Sequence, residues 1–331
     1  MITTNPFTER GRITNAERFV GRWSELGLVF ERLEATRPVL IAGTPGIGMS
    51  SLLTHITQAA AVNLEVPELR AYYLDLYAAE GTAQVYATLA QALGQRGDTL
   101  AALELGLVAV GDPVLVCLDN AHAALAAGWG EGLLEALARV ARGGQLLLVV
   151  GLRGAAPQLS ERFATLKLGA FAQTEVRLLA ETYLDGTDVS FSPAELRDLI
   201  ELSAAHPAYV QRAAFYLFQS KLDAAFDWRA AYRAEVRDRP VPGAPLPAAV
   251  FEGGGPSQIQ RSSYGDTAEA RAAQPQQLRP LPEMPPLVNM LVAVAAALLG
   301  YLASGSWPIA LVLGLVAVVA YTLWARPRRA P

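Results

Sequence analysis

The chain has 331 residues, 52% of them hydrophobic, with 27 Lys and Arg against 31 Asp and Glu for a net charge of −4. That acidic balance argues against the broad basic surface that general nucleic-acid binding requires. One cysteine, Cys117, excludes an internal disulfide framework and suits a reducing compartment.

The opening residues, MITTNPFTERGR, contain no apolar core of signal-peptide length, so the globular part is expected in the cytosol. Leu26, Val29, Phe30 and Leu33 recur at three- and four-residue spacing and predict a helix. Ahead of it, Phe19-Val20-Gly21-Arg22 taken alone reads as a helix-start turn. An apolar run at 39–42 then empties into Gly43-Thr44-Pro45-Gly46-Ile47-Gly48, and Met49-Ser50-Ser51 opens a second helical pattern. Strand, glycine turn and helix in that order match the phosphate-binding loop G-x-x-x-x-G-K-[ST]. The glycines let backbone N–H groups face one point, at the positive end of a helix dipole. Met49 occupies the position of the lysine that should reach the β and γ phosphates.

Residues 70–76 alternate like a strand, and 82–93 read as an amphipathic helix with Val85, Leu89 and Leu93 on one face. Residues 114–118 form a continuous apolar run, as in a strand buried on both faces, closed by Asp119-Asn120. Downstream of a phosphate loop, such a strand fits the one whose carboxylate holds Mg²⁺, here Asp119 together with Ser50. The next position, where an acid would polarise an attacking water, is Asn120, and an amide cannot serve as a general base. No catalytic residue is therefore assigned, and His122 reads as structural. A helix over 131–142 leads to a buried strand at 145–150. Arg153 beyond it faces either the phosphate side of the sheet or a surface turn. Residues 174–178 read as the last strand. This alternation predicts an α/β fold built on a doubly wound parallel sheet, over residues 1–180.

From Ser192, with Pro193 in the first turn, the pattern turns helical, and 181–237 is expected to form a small helical lid. Residues 238–286 are rich in proline and glycine and are expected to be a disordered linker. Within 287–325, two charge-free runs (287–303 and 308–325) are predicted to form a transmembrane hairpin, and Arg326, Arg328 and Arg329 open a basic tail, 326–331. The expected location is the cell's inner (plasma) membrane, multi-pass, with the N-terminal domain and the C-terminus both cytosolic.

With these pieces placed, the chain resembles the STAND ATPases and their origin-recognition-like AAA+ relatives, from Asn5 to about residue 220. Asn5-Pro6-Phe7 and Phe19-Val20-Gly21-Arg22 look like the family's opening motif, which frames the adenine. Gly43 to Ser50 matches its Walker A motif and 114–119 its Walker B motif. Arg153 falls where the family has a sensor strand and arginine, and Ala205-His206-Pro207 resembles the Gly-x-Pro motif of its lid. The resemblance implies ATP or ADP as ligand, weakly bound, with Mg²⁺. It implies contacts from Val20, Gly21, Arg22, Gly43, Thr44, Pro45, Gly46, Ile47, Gly48, Met49, Ser50, Ser51, Arg153 and Pro207. Three readings follow. The first is a membrane-anchored scaffold or sensor with little or no hydrolysis, working with a protein partner or as a homo-oligomer. The second is an active switch in which Arg22, Arg153 or Arg212 replaces the missing lysine. The third is a membrane-tethered DNA-binding relative, which the acidic charge disfavours.

Overall fold

Strands and helices alternate through the first two thirds of the computed structural model, which describes residues 4–251. In chain order they are α1 (Trp23–Glu34), β1 (Val39–Gly43), α2 (Met49–Asn63), β2 (Arg70–Asp75), α3 (Thr82–Ala92), α4 (Leu100–Val110), β3 (Val114–Asp119), α5 (Ala121–Ala126), α6 (Gly130–Ala141), β4 (Leu146–Arg153) and β5 (Ala164–Leu168). All pairings are parallel, in the order β2-β3-β4-β1-β5. Alternate residues of β3 face opposite layers. Leu115 and Cys117 pack under α1 and α2, while Val116 and Leu118 pack under α3, α4 and α6. Burial on both faces is why this strand carries no polar residue before Asp119.

From their apolar runs, 114–118 is expected at the centre of the sheet next to 39–42; instead β4 runs between β3 and β1, with Val149 paired to Val39 on one side and Cys117 on the other. A second expectation also changes. Residues 174–178 are helical, not the last strand, which is β5. They open α7 (Gln173–Leu184), whose buried Val176, Leu179, Ala180, Tyr183 and Leu184 follow a helical period.

With α7 begins a helical layer completed by α8 (Pro193–Ser203), α9 (Pro207–Leu222) and α10 (Trp228–Asp238). It therefore starts at Gln173, ahead of the expected boundary at 181. Ser192 caps α8 as its sequence suggests: its hydroxyl accepts from the Glu195 N–H, and the Glu195 carboxylate accepts from the Ser192 N–H. The N-terminal arm belongs to this layer too. Phe7 is fully buried in it, stacked on Tyr183 and Phe191 at 5.3 and 5.8 Å, so it lies in a core and does not frame a ligand. The first residues of the stretch expected as linker are also folded. Val250 is buried at the end of a short 3-10 turn, and its carbonyl accepts from Arg237 at 2.9 Å. Too few apolar residues for an independent core still suffice to cover a neighbouring one. The remainder of that stretch, the two apolar runs and the basic tail lie outside the described residues. Among the described residues, no helix is long and apolar enough to cross a membrane.

Helical layer and sheet meet at the glycine-rich turn between β1 and α2. Arg22, only 3% exposed, reaches into this junction. It donates to the carbonyls of Ile47 (3.2 Å) and Gly169 (2.7 Å), pairs with Glu25 at 2.8 Å, and lies over the Phe171 ring. Its own backbone N–H donates to Glu175, which also caps Ala172 at the start of α7. Gly21 makes this approach possible: its φ is +77°, and a Cβ there would stand 2.7 Å from the Glu175 carboxylate oxygen. From the other side, the His206 ring bonds the Pro45 carbonyl at 3.1 Å, and the Ala208 N–H donates to the Gly46 carbonyl at 3.2 Å. Because a carbonyl can only accept, the proton of neutral His206 sits on Nε2.

Two outcomes are expected from this junction. Removing one partner of a buried ion pair typically costs about 3–5 kcal/mol, and Glu25 keeps some access to water, so Arg22→Ala should destabilise the full-length protein by about 3 kcal/mol in chemical denaturation. Arg22→Lys should recover only part of this, since an ammonium cannot span the same acceptors. A loss below about 0.5 kcal/mol, as for an ordinary surface change, would contradict the bracing role. The second outcome concerns pH. Burial holds His206 below its ordinary value of 6.5, and burial likewise lowers His55 and His122. The unfolded chain therefore takes up protons that the folded chain resists. This stability is complete above pH ~6.5 and shrinks as pH falls toward the lowered folded values. Melting temperature should drop between about pH 7 and 5.5, less steeply in His206→Gln; identical slopes for the two proteins would count against it.

Candidate nucleotide site

The turn at 43–48 has an unusual division of its backbone groups. Every carbonyl from Thr44 to Gly48 is taken by a protein donor: Ile47 N–H, the His206 ring, Ala208 N–H, Arg22 and Leu52 N–H, in that order. By contrast, the N–H groups of Gly46, Gly48, Met49 and Ser50 donate to no other group among the described residues. Positive φ angles at Gly46 (+74°) and Gly48 (+94°) are what turn the peptide units this way. The free donors gather at the start of α2, a fifteen-residue helix whose dipole adds positive potential.

These donors open into a cavity of about 330 Å³, within the range of small-ligand pockets. All of the turn, Met49, Ser50 and Ser51, together with Val20, Arg22, Asp119, Arg153 and Pro207, line it, so residues far apart in sequence share one wall. Asn120 lines it too. Gly21 is the exception; it serves the contact with Glu175 described above. Ser51 is committed elsewhere, its hydroxyl accepting from the Ile13 N–H at 3.0 Å.

Met49 is folded down onto the sheet. Its methyl lies 3.3 Å from where a Cβ on Gly43 would stand, and its Cγ 3.0 Å from that of Gly151. The lysine position has thus become part of the apolar floor between the ends of β1 and β4. Asp119 is 2% exposed and holds two bonds: Tyr73 hydroxyl to one oxygen at 2.6 Å, and Asn120 N–H to the other at 2.7 Å. Burial and this bond push the Tyr73 hydroxyl well above its usual range, so it remains a donor. Each carboxylate oxygen retains a lone pair, and Ser50 stands across the cavity in the first turn of α2. That pair fits a Mg²⁺ held largely by water and phosphate oxygens. Among the described residues no cluster of His, Cys, Asp or Glu could hold a metal unaided.

Asn120 is not poised as a substitute base. It sits at φ +56°, and its amide donates to Asp75 at 2.9 Å, across to the end of β2. His122 bonds the Tyr77 hydroxyl at 2.8 Å, and burial followed by the Arg153 charge lowers its pKa.

The cavity wall carries further guanidinium groups, of which only Arg212 figures among the sequence expectations. Arg10, Arg12 and Arg18 from the N-terminal arm and Arg212 from α9 join Arg22 and Arg153, against only Glu9 and Asp119. The three arm residues belong to a polar stretch with no motif, and only its return across α2 makes them wall. A net-negative chain thus presents a positively charged pocket.

No family model and no curated protein matches the chain. Solved structures do resemble it. The Walker-type ATPase PABY2304 of Pyrococcus abyssi is 14% identical, with a TM-score of 0.52 over 70% of this chain and 77% of that one. Orc1 of Aeropyrum pernix, in complex with DNA, is 18% identical at a TM-score of 0.49 over 67% of each chain. The RuvB Holliday junction branch migration motor of Thermotoga maritima is 16% identical at 0.44, over 69% of this chain and 72% of its own. Likeness at such identity speaks to architecture alone, and the two below 0.5 carry no weight in it. The shared architecture is a parallel α/β P-loop fold like that of the Walker-type ATPase.

Proposed function

We propose that this protein is a nucleotide-responsive module that binds ATP or ADP and hydrolyses ATP little or not at all. The observation that carries the reading is the turn's division of labour: five carbonyls already bonded, three of them by Arg22 and the start of α9, and four N–H groups left to face one cavity. Phosphate oxygens are the acceptors such a nest suits, and a helix N-terminus favours their charge. Ser50 and Asp119 would hold Mg²⁺, which would neutralise phosphate charge when bound. The chain's own residues would bind and orient the phosphates and exclude water.

Weak hydrolysis follows from chemistry at two positions. Met49 supplies no donor to charge developing on a phosphoryl group, a loss typically worth about 3–4 kcal/mol, or two to three orders of magnitude in rate. Asn120 can take no proton from water, and its amide is turned to Asp75. We further propose that the apolar runs at 287–303 and 308–325 anchor the module to a membrane as a scaffold or sensor of the STAND kind. Their lack of charge and the arginines that follow support this. The partner it would signal to is a protein, in keeping with the acidic charge.

The test uses the full-length protein and follows both ATP and ADP binding by calorimetry and phosphate release. Binding without release above the blank is expected. Gly48→Val should abolish binding, because a branched side chain resists φ of +94°. Met49→Lys should tighten it roughly tenfold, the effect of about 1.4 kcal/mol from one charged hydrogen bond. Steady release of phosphate by the unmodified protein would contradict the weak-hydrolysis reading, and absence of binding would contradict the nucleotide reading.

A further inference from the structure

We propose that Arg12, from the N-terminal arm, supplies the bound phosphates with the positive charge that Met49 withholds. This rests on the phosphate-binding reading of the turn.

Four of the six guanidinium groups in the wall are already committed. Arg22 is tied to two carbonyls and Glu25, and Arg18 lies 3.6 Å from Glu9. Arg212 lies 3.9 Å from Glu235 and donates to the Arg239 carbonyl, and Arg10 donates to the Phe7 carbonyl at 3.0 Å. Arg10, Arg12 and Arg153 make no ion pair among the described residues, but Arg10 is turned toward the helical layer, over the Phe215 ring at 5.1 Å.

Arg12 is distinguished by where the arm is fastened. The Ile13 N–H donates to Ser51 at 3.0 Å, and Gln58 donates to the Thr14 carbonyl at 2.8 Å, so the arm runs along the first turns of α2. That path sets Arg12 beside the helix end where the free N–H groups gather. Its guanidinium lies 4.4 Å from the centre of the Tyr73 ring, whose hydroxyl bonds Asp119. An aromatic face holds a guanidinium in place without neutralising it. The group is therefore exposed, oriented and paired with no carboxylate, in the wall it shares with the turn and Asp119. Its planar fork also matches two phosphate oxygens at once, which a lysine cannot do. Arg153 leaves instead from the end of β4 and lies 5.8 Å over Tyr77.

This makes the cation a property of the arm, which Asn5 and Phe7 anchor in the helical layer. Phosphate binding and arm packing are then mutually reinforcing.

The test measures ATP and ADP affinity, with Mg²⁺, in the full-length protein and five variants: Arg12→Ala, Arg12→Lys, Arg153→Ala, Met49→Lys and Arg12→Ala with Met49→Lys. Arg12→Ala is expected to weaken binding tenfold or more and Arg12→Lys less, with the melting temperature of both Arg12 variants unchanged. Met49→Lys should restore most of the affinity lost in Arg12→Ala, and its gain there should exceed its gain alone. If the unmodified protein binds but Arg12→Ala binds equally well, the proposal fails while the reading of the turn survives. The proposal fails in the same way if Met49→Lys gives equal gains in both backgrounds, or if Arg153→Ala alone reproduces the loss. If the unmodified protein binds neither nucleotide, both fall.

Discussion

The turn between β1 and α2 keeps its shape because neighbouring parts of the protein hold its carbonyls, and most other features of the site depend on that grip. A glycine-rich segment loses more conformational entropy on ordering than any other, so left alone it would not stay in one form. Arg22 and the α9 N-terminus hold it from two sides through Ile47, Pro45 and Gly46. Since a carbonyl shares its plane with the next residue's N–H, fixing the Pro45 and Ile47 carbonyls outward turns the Gly46 and Gly48 N–H groups the other way. The phosphate nest is in this sense a consequence of how the helical layer is fastened to the sheet.

The same fastening explains the fate of the arginines. Arg22 is buried and fully bonded, so it serves the turn's geometry and is not free to serve a ligand. The charges that remain available come from Arg12 on the arm and Arg153 at the end of β4. Loss of the lysine has therefore not left an apolar cavity. It has moved positive charge from the turn itself to segments whose position depends on packing elsewhere. Binding and packing are expected to be coupled more strongly than where the lysine sits in the loop.

Much of this was legible in the sequence where the pattern is contiguous. Gly43 to Ser50 and the run ending in Asp119-Asn120 are local patterns whose backbone consequences follow from residue type. The neighbours of β3 were not legible, because β3 and β4 are both apolar on both faces and nothing local says which lies beside β1. The start of α7 reads locally as a strand because Thr174-Glu175-Val176-Arg177-Leu178 alternates in polarity over five residues, and only the longer helical period settles it. Helix α4 gives no readable signal because LAALELGLVAV is apolar nearly all round and shows no face. Arg12 could not be found at all, since its place depends on a hydrogen bond between residues 38 positions apart.

The inward-facing amides can be observed directly. The chain has four methionines, so ¹⁵N-methionine labelling of the full-length protein yields a spectrum simple enough to assign Met49 by its loss in Met49→Leu. On saturation with ADP and Mg²⁺, the Met49 amide is predicted to move strongly downfield as it donates to a phosphate oxygen. A Met49 amide that stays in place while the nucleotide binds would contradict the nest.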